Sequence, residues 1–271
     1  MSRLIRVGTR RGLIELRQTV TNGADVFGYL FPVALLLGWL YLIRDDKVPG
    51  SDVSLGAYSL VSSLALLLVI GGVTSTAQYL TMDREDGTLL RAKATPNGMA
   101  GYLIGKIVLV AGVMVITCVV TLLPGAFLVD GLRVDAGTWL TVLWLLPLTM
   151  LALLPVGAIL GSFFETARGA AILMLPVIAL TAISGVFYAH SALPGWLQGL
   201  SQVFPMYWLG SGMRSAFLAG EPDRHLATAG VLALWAVIGL LLAPRILRRM
   251  ARRESGSLVA ARRQRAMSRT M

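Results

Sequence analysis

The chain has 271 residues, 56% of them hydrophobic and 14% charged, whereas soluble domains run at about 45–50% and 25%. So little charge cannot cover so much apolar surface in water; the chain needs lipid as its solvent, which excludes a soluble enzyme, a disulfide scaffold and a disordered chain together. The formal net charge of +10 then reads as membrane orientation rather than nucleic-acid binding, and the single cysteine, Cys118, sits in an apolar run as a small packing side chain.

Residues 1–25 predict an amphipathic helix lying on the membrane surface. Arg6, Arg10, Arg11 and Arg17 are interleaved with Leu4, Leu13, Leu16 and Val20, and the last three leucine and valine positions recur at spacings of three and four. The apolar run waits until residue 26, too late for a secretory signal, and Asn22-Gly23 offers a turn into it. A membrane span needs about 20 mostly apolar residues. Six stretches qualify: about 26–43, a stretch within 53–80, then about 103–129, 138–164, 170–189 and 226–243. The expected fold is an all-α integral membrane protein with six transmembrane helices over 26–243 and a basic tail over 244–271. That tail either attracts anionic lipid or only fixes topology. Gly157-x-x-x-Gly161 permits close helix approach, or is chance in a glycine-rich chain.

Basic residues orient the spans. Arginines crowd the N-terminal segment and the tail, and Arg84, Arg91, Lys93 and Arg168 fall in loops on the same side. The opposite side holds only Arg44, Lys47, Arg133, Arg214 and Arg224, so both termini are expected in the cytoplasm.

Catalytic patterns are missing: there is no H-E-x-x-H, C-x-x-C or G-x-S-x-G. GYLIGK at Gly101–Lys106 fails as a phosphate loop, with three residues between its glycines and Ile107 where Ser or Thr would bind magnesium. Within the expected spans the one charge is Lys106, near enough to an edge to snorkel as an anchor. An ion-driven carrier normally keeps titrating groups at membrane depth, so energy for uphill transport would come from outside this chain.

Two segments are informative. Asp83-Arg84-Glu85-Asp86-Gly87 is a charge cluster at a membrane exit, Thr88-Leu89-Leu90-Arg91 suits a short helix, and Thr95-Pro96-Asn97-Gly98 breaks it. On physical grounds this is either a rim helix that receives force from a soluble partner or a solvated turn. Arg84-Glu85-x-Gly87-Thr88-Leu89, then Thr95-Pro96, then Tyr102-Leu103-x-Gly105-Lys106 resembles the hallmark loop of ATP-binding-cassette type-2 (ABC-2) permeases. Ser184-Gly185-Val186-Phe187-Tyr188, Leu193-Pro194-x-Trp196-Leu197 and Phe204-Pro205-Met206-Tyr207-Trp208 with Arg214 are similar to the same family's outer segment. Asp83 and Ala92-Lys93-Ala94 depart slightly from the usual pattern.

The resemblance covers nearly the whole chain and is nearest the daunorubicin-type, multidrug-resistance branch. It implies the membrane subunit of an exporter in a bacterial cell membrane, itself no enzyme, with ATP and Mg bound by two partner ATPase subunits and a second permease half, identical or paralogous. It implies a coupling loop at 81–98, with Arg84, Glu85, Asp86, Gly87, Thr88, Leu89 and Arg91 transmitting motion, and a re-entrant outer segment at 190–214. It also implies a route between the halves along spans two and five. Tyr58, Ser62, Val69, Thr76, Leu180, Ser184 and Phe187 either line that route or are plain helix packing. Trp196, Tyr207 and Trp208 are either an outer gate or interface aromatics. An apolar route with a few hydroxyls suits a hydrophobic or amphiphilic cargo. The alternatives are export of a polysaccharide or lipid-linked glycan, a non-transporting scaffold or sensor, and a membrane-embedded enzyme.

Overall fold

The computed structural model describes residues 2–48, 53–95, 98–186, 193–222 and 224–253; within them the chain forms twelve α-helices and no β-strand. α1 (Ser2–Thr21) gives way at Asn22 to α2 (Gly23–Leu42), and the Asn22 side chain accepts from the Ala24 amide at 3.1 Å, capping α2. α3 (Leu55–Ile70) starts on a Ser54 cap and passes through a π-helical turn, Gly71–Ser75, into α4 (Thr76–Glu85). The short α5 (Thr88–Lys93) precedes the long α6 (Gly98–Leu128), and α7 (Ala136–Gly161) starts on Asp135, whose carboxylate accepts from Thr138 N at 2.7 Å. α8 (Ala167–Ala170) and α9 (Met174–Thr181) lead into a second π-helical turn, Ala182–Val186. Two short helices follow, α10 (Gly195–Val203) and α11 (Pro205–Phe217), and then α12 (His225–Arg253).

Among the described residues, six segments are long and apolar enough to cross a membrane: Gly23–Leu42, Leu55–Glu85, Gly98–Leu128, Ala136–Gly161, Ala167–Gly185 and His225–Met250. These are spans one to six, at the six places the apolar runs indicate. Span two is longer than its apolar run, because Asp83, Arg84 and Glu85 form its last turn instead of a loop. Helix continues there because Asp83 and Arg84 are buried and paired within the bundle. Span six likewise runs on through Pro244 into the arginines that the sequence places in the tail.

Span two is the axis of the bundle. Its Leu60, Leu64, Leu68 and Val73 are fully buried and pack with Met114 of α6, Leu145 and Leu153 of α7, and Leu209 and Met213 of α11. Large apolar side chains point outward on the other spans, among them Phe127 at 90% exposure and Leu143 at 72%, the pattern expected where the surroundings are hydrocarbon.

Two close helix crossings depend on missing side chains. α1 lies along α6 with Gly8 and Gly12 against Gly101, Ile104, Gly105 and Val108; a Cβ on Gly12 would stand 2.7 Å from Val108 Cβ. The pair Gly157 and Gly161 lets α7 approach span two at its π turn and beyond, where a Cβ on Gly161 would stand 2.7 Å from Ala77 Cα. The helical face of α1 that carries Leu13, Leu16 and Val20 is divided. Leu16 packs at Gly112 of α6, whereas Leu13 and Val20 remain exposed. Gly12→Val should force α1 off α6 at an overpacking cost of about 1–3 kcal/mol. Faster amide hydrogen exchange confined to α1 is the expected readout.

Candidate coupling site and transport route

The rim helix α5 is built on a backbone turn. Gly87 adopts φ 77°, ψ 11°, a left-handed conformation that favours glycine, and reverses the chain between α4 and α5. The Asp86 carboxylate accepts from the Thr88 amide at 2.8 Å, and Arg91 Nη2 donates to Thr88 Oγ1 at 2.9 Å. Leu89 and Ala92 are buried in a cluster with Leu80, Tyr102, Leu247 and Met250. The short helix therefore rests on spans two, three and six together. Its other face leaves Asp86, Arg91 and Lys93 exposed, with Glu85 and Thr88 half-buried.

Arg84 differs from the expectation of a group offered to a partner. Its side chain is buried, and Nη1 donates to the carbonyls of Phe164 at 2.6 Å and Ser162 at 3.3 Å. It staples the end of span two to the end of span four. In the last turn of a helix, a cation also meets the negative end of the helix dipole.

Beside α5 lies an ion network that the sequence reading missed. Lys106 Nζ donates to Glu15 Oε2 at 2.8 Å and to Asp83 Oδ2 at 2.9 Å, with the lysine side chain only 15% exposed. Tyr102 OH donates to the same Asp83 oxygen at 2.8 Å, and Arg11 Nε to Glu15 Oε1 at 2.9 Å. Lys106 is thus no snorkelling anchor; it ties α1 and the end of span two to span three. The signals available were Glu15 four residues from Arg11 on an otherwise basic helix, and Tyr102 four from Lys106. Burial alone would raise the Glu15 carboxyl, but the hydrogen bonds and charges of Lys106 and Arg11 hold it below its ordinary value of 4.5.

The residues assigned to the route are not brought to one surface. Ser62, Val69 and Ser184 are fully buried, and Tyr58 and Leu180 are half-buried where spans two and five meet. Thr76 is elsewhere, on a cleft between spans three and six, with its hydroxyl donating to Gly72 O at 2.7 Å. Phe187 lies outside the described residues. At the far end Tyr58 OH and Arg214 Nη1 both donate to the Gly185 carbonyl, at 2.9 and 3.2 Å, and Gly185 itself has φ 80°. Of the aromatics assigned to an outer gate, Tyr207 and Trp208 are buried edge to face, and Trp208 Nε1 donates to Gln202 O at 2.7 Å. Trp196 is separate from them, 70% exposed on α10.

Six apolar spans among the described residues, with a short helix seated under three of them, define a multi-pass membrane protein. A family profile described as "ABC-2 family transporter protein" matches residues 27–244. The chain belongs to this family. It is also similar to proteins named "Inner membrane transport permease YadH" in Escherichia coli K12, in Escherichia coli O157:H7 and in Shigella flexneri. Each is 32% identical over 106 residues, which is 39% of this chain and 41% of the relative. The alignment thus spans less than half of either protein.

Two outcomes follow from the ion network. Lys106→Met leaves Asp83 without its ion-pair partner and Glu15 with Arg11 alone, and should cost about 1.5–3 kcal/mol, the scale of hydrogen bonds to charged groups. The unfolding midpoint in detergent should fall, and adding Glu15→Gln should recover part of the loss. Because the folded Glu15 carboxyl titrates below its ordinary 4.5, its stabilisation is complete above that value and is lost as pH falls through the depressed one. Exchange protection of α1 should hold at neutral pH and be lost only as the pH falls below the ordinary carboxyl value of 4.5.

Proposed function

We propose that this chain is the membrane half of an ATP-driven exporter that moves a hydrophobic or amphiphilic small molecule out across a bacterial cell membrane. Two partner ATPase subunits hold ATP and Mg²⁺ on the cytoplasmic side, where both termini lie, and a second permease copy or a paralogue completes the route. The observation that carries this reading is the seat of α5: Leu89 and Ala92 are buried against three spans while Asp86, Arg91 and Lys93 face outward. A load applied to that exposed face reaches spans two, three and six at once. Glu85, Asp86 and Arg91 supply charge-assisted contacts to the ATPase, and Arg84 acts inside, holding the end of span two to span four. α1 is a second contact, its exposed Leu13 and Val20 resting on the bilayer. ATPase closure acts by biasing two packings of the spans.

Membership of a transporter family supports the reading, as does the relatives' description as transport permeases. Apolar surroundings with isolated hydroxyls along spans two and five support an apolar or amphiphilic cargo. The test is Gly87→Val, which puts a branched side chain at φ 77° and costs about 1–2 kcal/mol of left-handed backbone strain. The ATPase should still co-purify, while cargo-stimulated hydrolysis drops ~10-fold, equivalent to 1.4 kcal/mol. Unchanged stimulation and export would remove α5 as the coupling element.

A further inference from the structure

The outward face of α1 carries charges that no assigned site uses. Gly8, Gly12 and Leu16 seat the helix on α6, and Glu15 is tied to Lys106 and Arg11, so the rotation of α1 about its own axis is fixed. The face left outside reads Arg3, Arg6, Arg10, Leu13, Arg17 and Val20, and all six side chains are exposed. Their spacings alternate between three and four, which makes one continuous stripe along the helix. Arg3, Arg6, Arg10 and Arg17 form no ion pair among the described residues, and the one acid of α1, Glu15, is already committed. The stripe therefore holds four uncompensated positive charges with two apolar side chains set among them.

Two observations identify what the stripe meets. Its C-terminal end is continuous with membrane-spanning surface: Val20 lines an apolar hollow with Val26, Leu30 and Val33 of span one and Val113 and Ile116 of span three. Asn22 then turns the chain directly into span one. The chemistry of the stripe also differs from that of the rim face on α5. There Glu85 and Asp86 accompany Arg91 and Lys93, and such mixed charge suits a protein partner. The α1 stripe is basic and apolar only, which suits hydrocarbon lying beneath a layer of negative charge. Arginine stems can rest on the apolar boundary while their guanidinium groups reach phosphate oxygens.

We propose that the α1 stripe binds the anionic phospholipid headgroups of the adjoining leaflet, with Arg6, Arg10 and Arg17 on headgroup phosphates and Leu13 and Val20 in the acyl boundary. Each arginine held near the surface contributes about a fivefold preference for anionic over zwitterionic lipid. Salt removes that preference, because the screening length shrinks from about 10 Å at 0.1 M to about 3 Å at 1 M. The proposal rests on the reading that lays α1 on the bilayer, and it needs neither an ATPase nor a cargo.

The test uses the full chain in lipid nanodiscs of phosphatidylcholine alone, or of an equal mixture with phosphatidylglycerol of the same acyl chains. Amide hydrogen exchange of α1 at neutral pH and low salt is the readout. In the wild type, exchange over residues 6–17 should be about tenfold slower in the mixed discs, and salt at about 1 M should erase the difference. Arg6→Gln, Arg10→Gln and Arg17→Gln together should also erase it, and because these side chains are exposed the fold is not at risk. The same three positions changed to Lys should keep it, since charge is what is read. Replacing Arg245, Arg248 and Arg249 of α12 by Gln should leave it in place. Exchange that is equally slow in both discs overturns the anionic preference and keeps α1 on the bilayer; exchange as fast in both discs as in detergent overturns both. A difference that survives the α1 Gln variant, or that disappears with the α12 variant, overturns the assignment to these arginines. Protection that appears only when the partner ATPase is added gives the stripe to a soluble partner, and that too overturns the proposal.

Discussion

Lys106 is an ammonium group inside an apolar bundle, and the basic end of the molecule is organised around its neutralisation. A lone charge at membrane depth costs about 2.5–3.5 kcal/mol on insertion scales, so two carboxylates are brought to it from two other elements. Asp83 reaches it because span two stays helical beyond its apolar run, and Glu15 reaches it because α1 is pressed onto α6 by opposed glycines. The remaining acceptor capacity is taken by Tyr102 and Arg11. Lys106 is the one member paired to both carboxylates, so it ties α1, span two and span three together at this end.

This explains why α5 sits where it does. Once Asp83 is held by Lys106 and Arg84 by the carbonyls of Ser162 and Phe164, the end of span two has no freedom of position. The chain must then turn sharply, and Gly87 supplies the left-handed residue that lets it do so. Leu89 and Ala92 fall onto the same patch that receives Leu247 and Met250 of α12. The charge cluster is therefore divided by role: Asp83 and Arg84 hold the bundle together, while Asp86 and Arg91 shape an outward surface.

The six spans were legible because a run of about 20 apolar residues has few alternatives, and the α5 helix was legible because Gly87 and Gly98 bracket it. What escaped was long-range pairing. Nothing local tells Lys106 to find Glu15 ninety-one residues earlier, so the lysine reads as an anchor until the helices are docked. Arg84 reads as exposed for the same reason, since its acceptors are backbone carbonyls that carry no residue-type signal. Tyr207 and Trp208 read as either an outer gate or interface aromatics, because amphipathic rings suit a membrane interface as well as a core; in the bundle both are buried. Gly157 and Gly161 were ambiguous by pattern alone and are resolved by the span they face.

Span two is held firmly at both ends and interrupted in the middle. At the basic end it is fixed by Asp83 and Arg84, and at the other end by Tyr58, which shares the Gly185 carbonyl with the buried guanidinium of Arg214. Between them the π turn at Gly71–Ser75 breaks the regular ladder, and threonine hydroxyls take up the carbonyls there: Thr74 on Ile70 at 2.7 Å and Thr76 on Gly72 at 2.7 Å. Such turns can shift without stranding a backbone group in an apolar setting, because the side chains follow the carbonyls they satisfy. Gly157 leaves no side chain in the way at this level, so α7 touches the turn through backbone. The one irregular stretch of span two thus lies between two ends that are each hydrogen-bonded to another span, Arg84 to the end of span four and Tyr58 to span five.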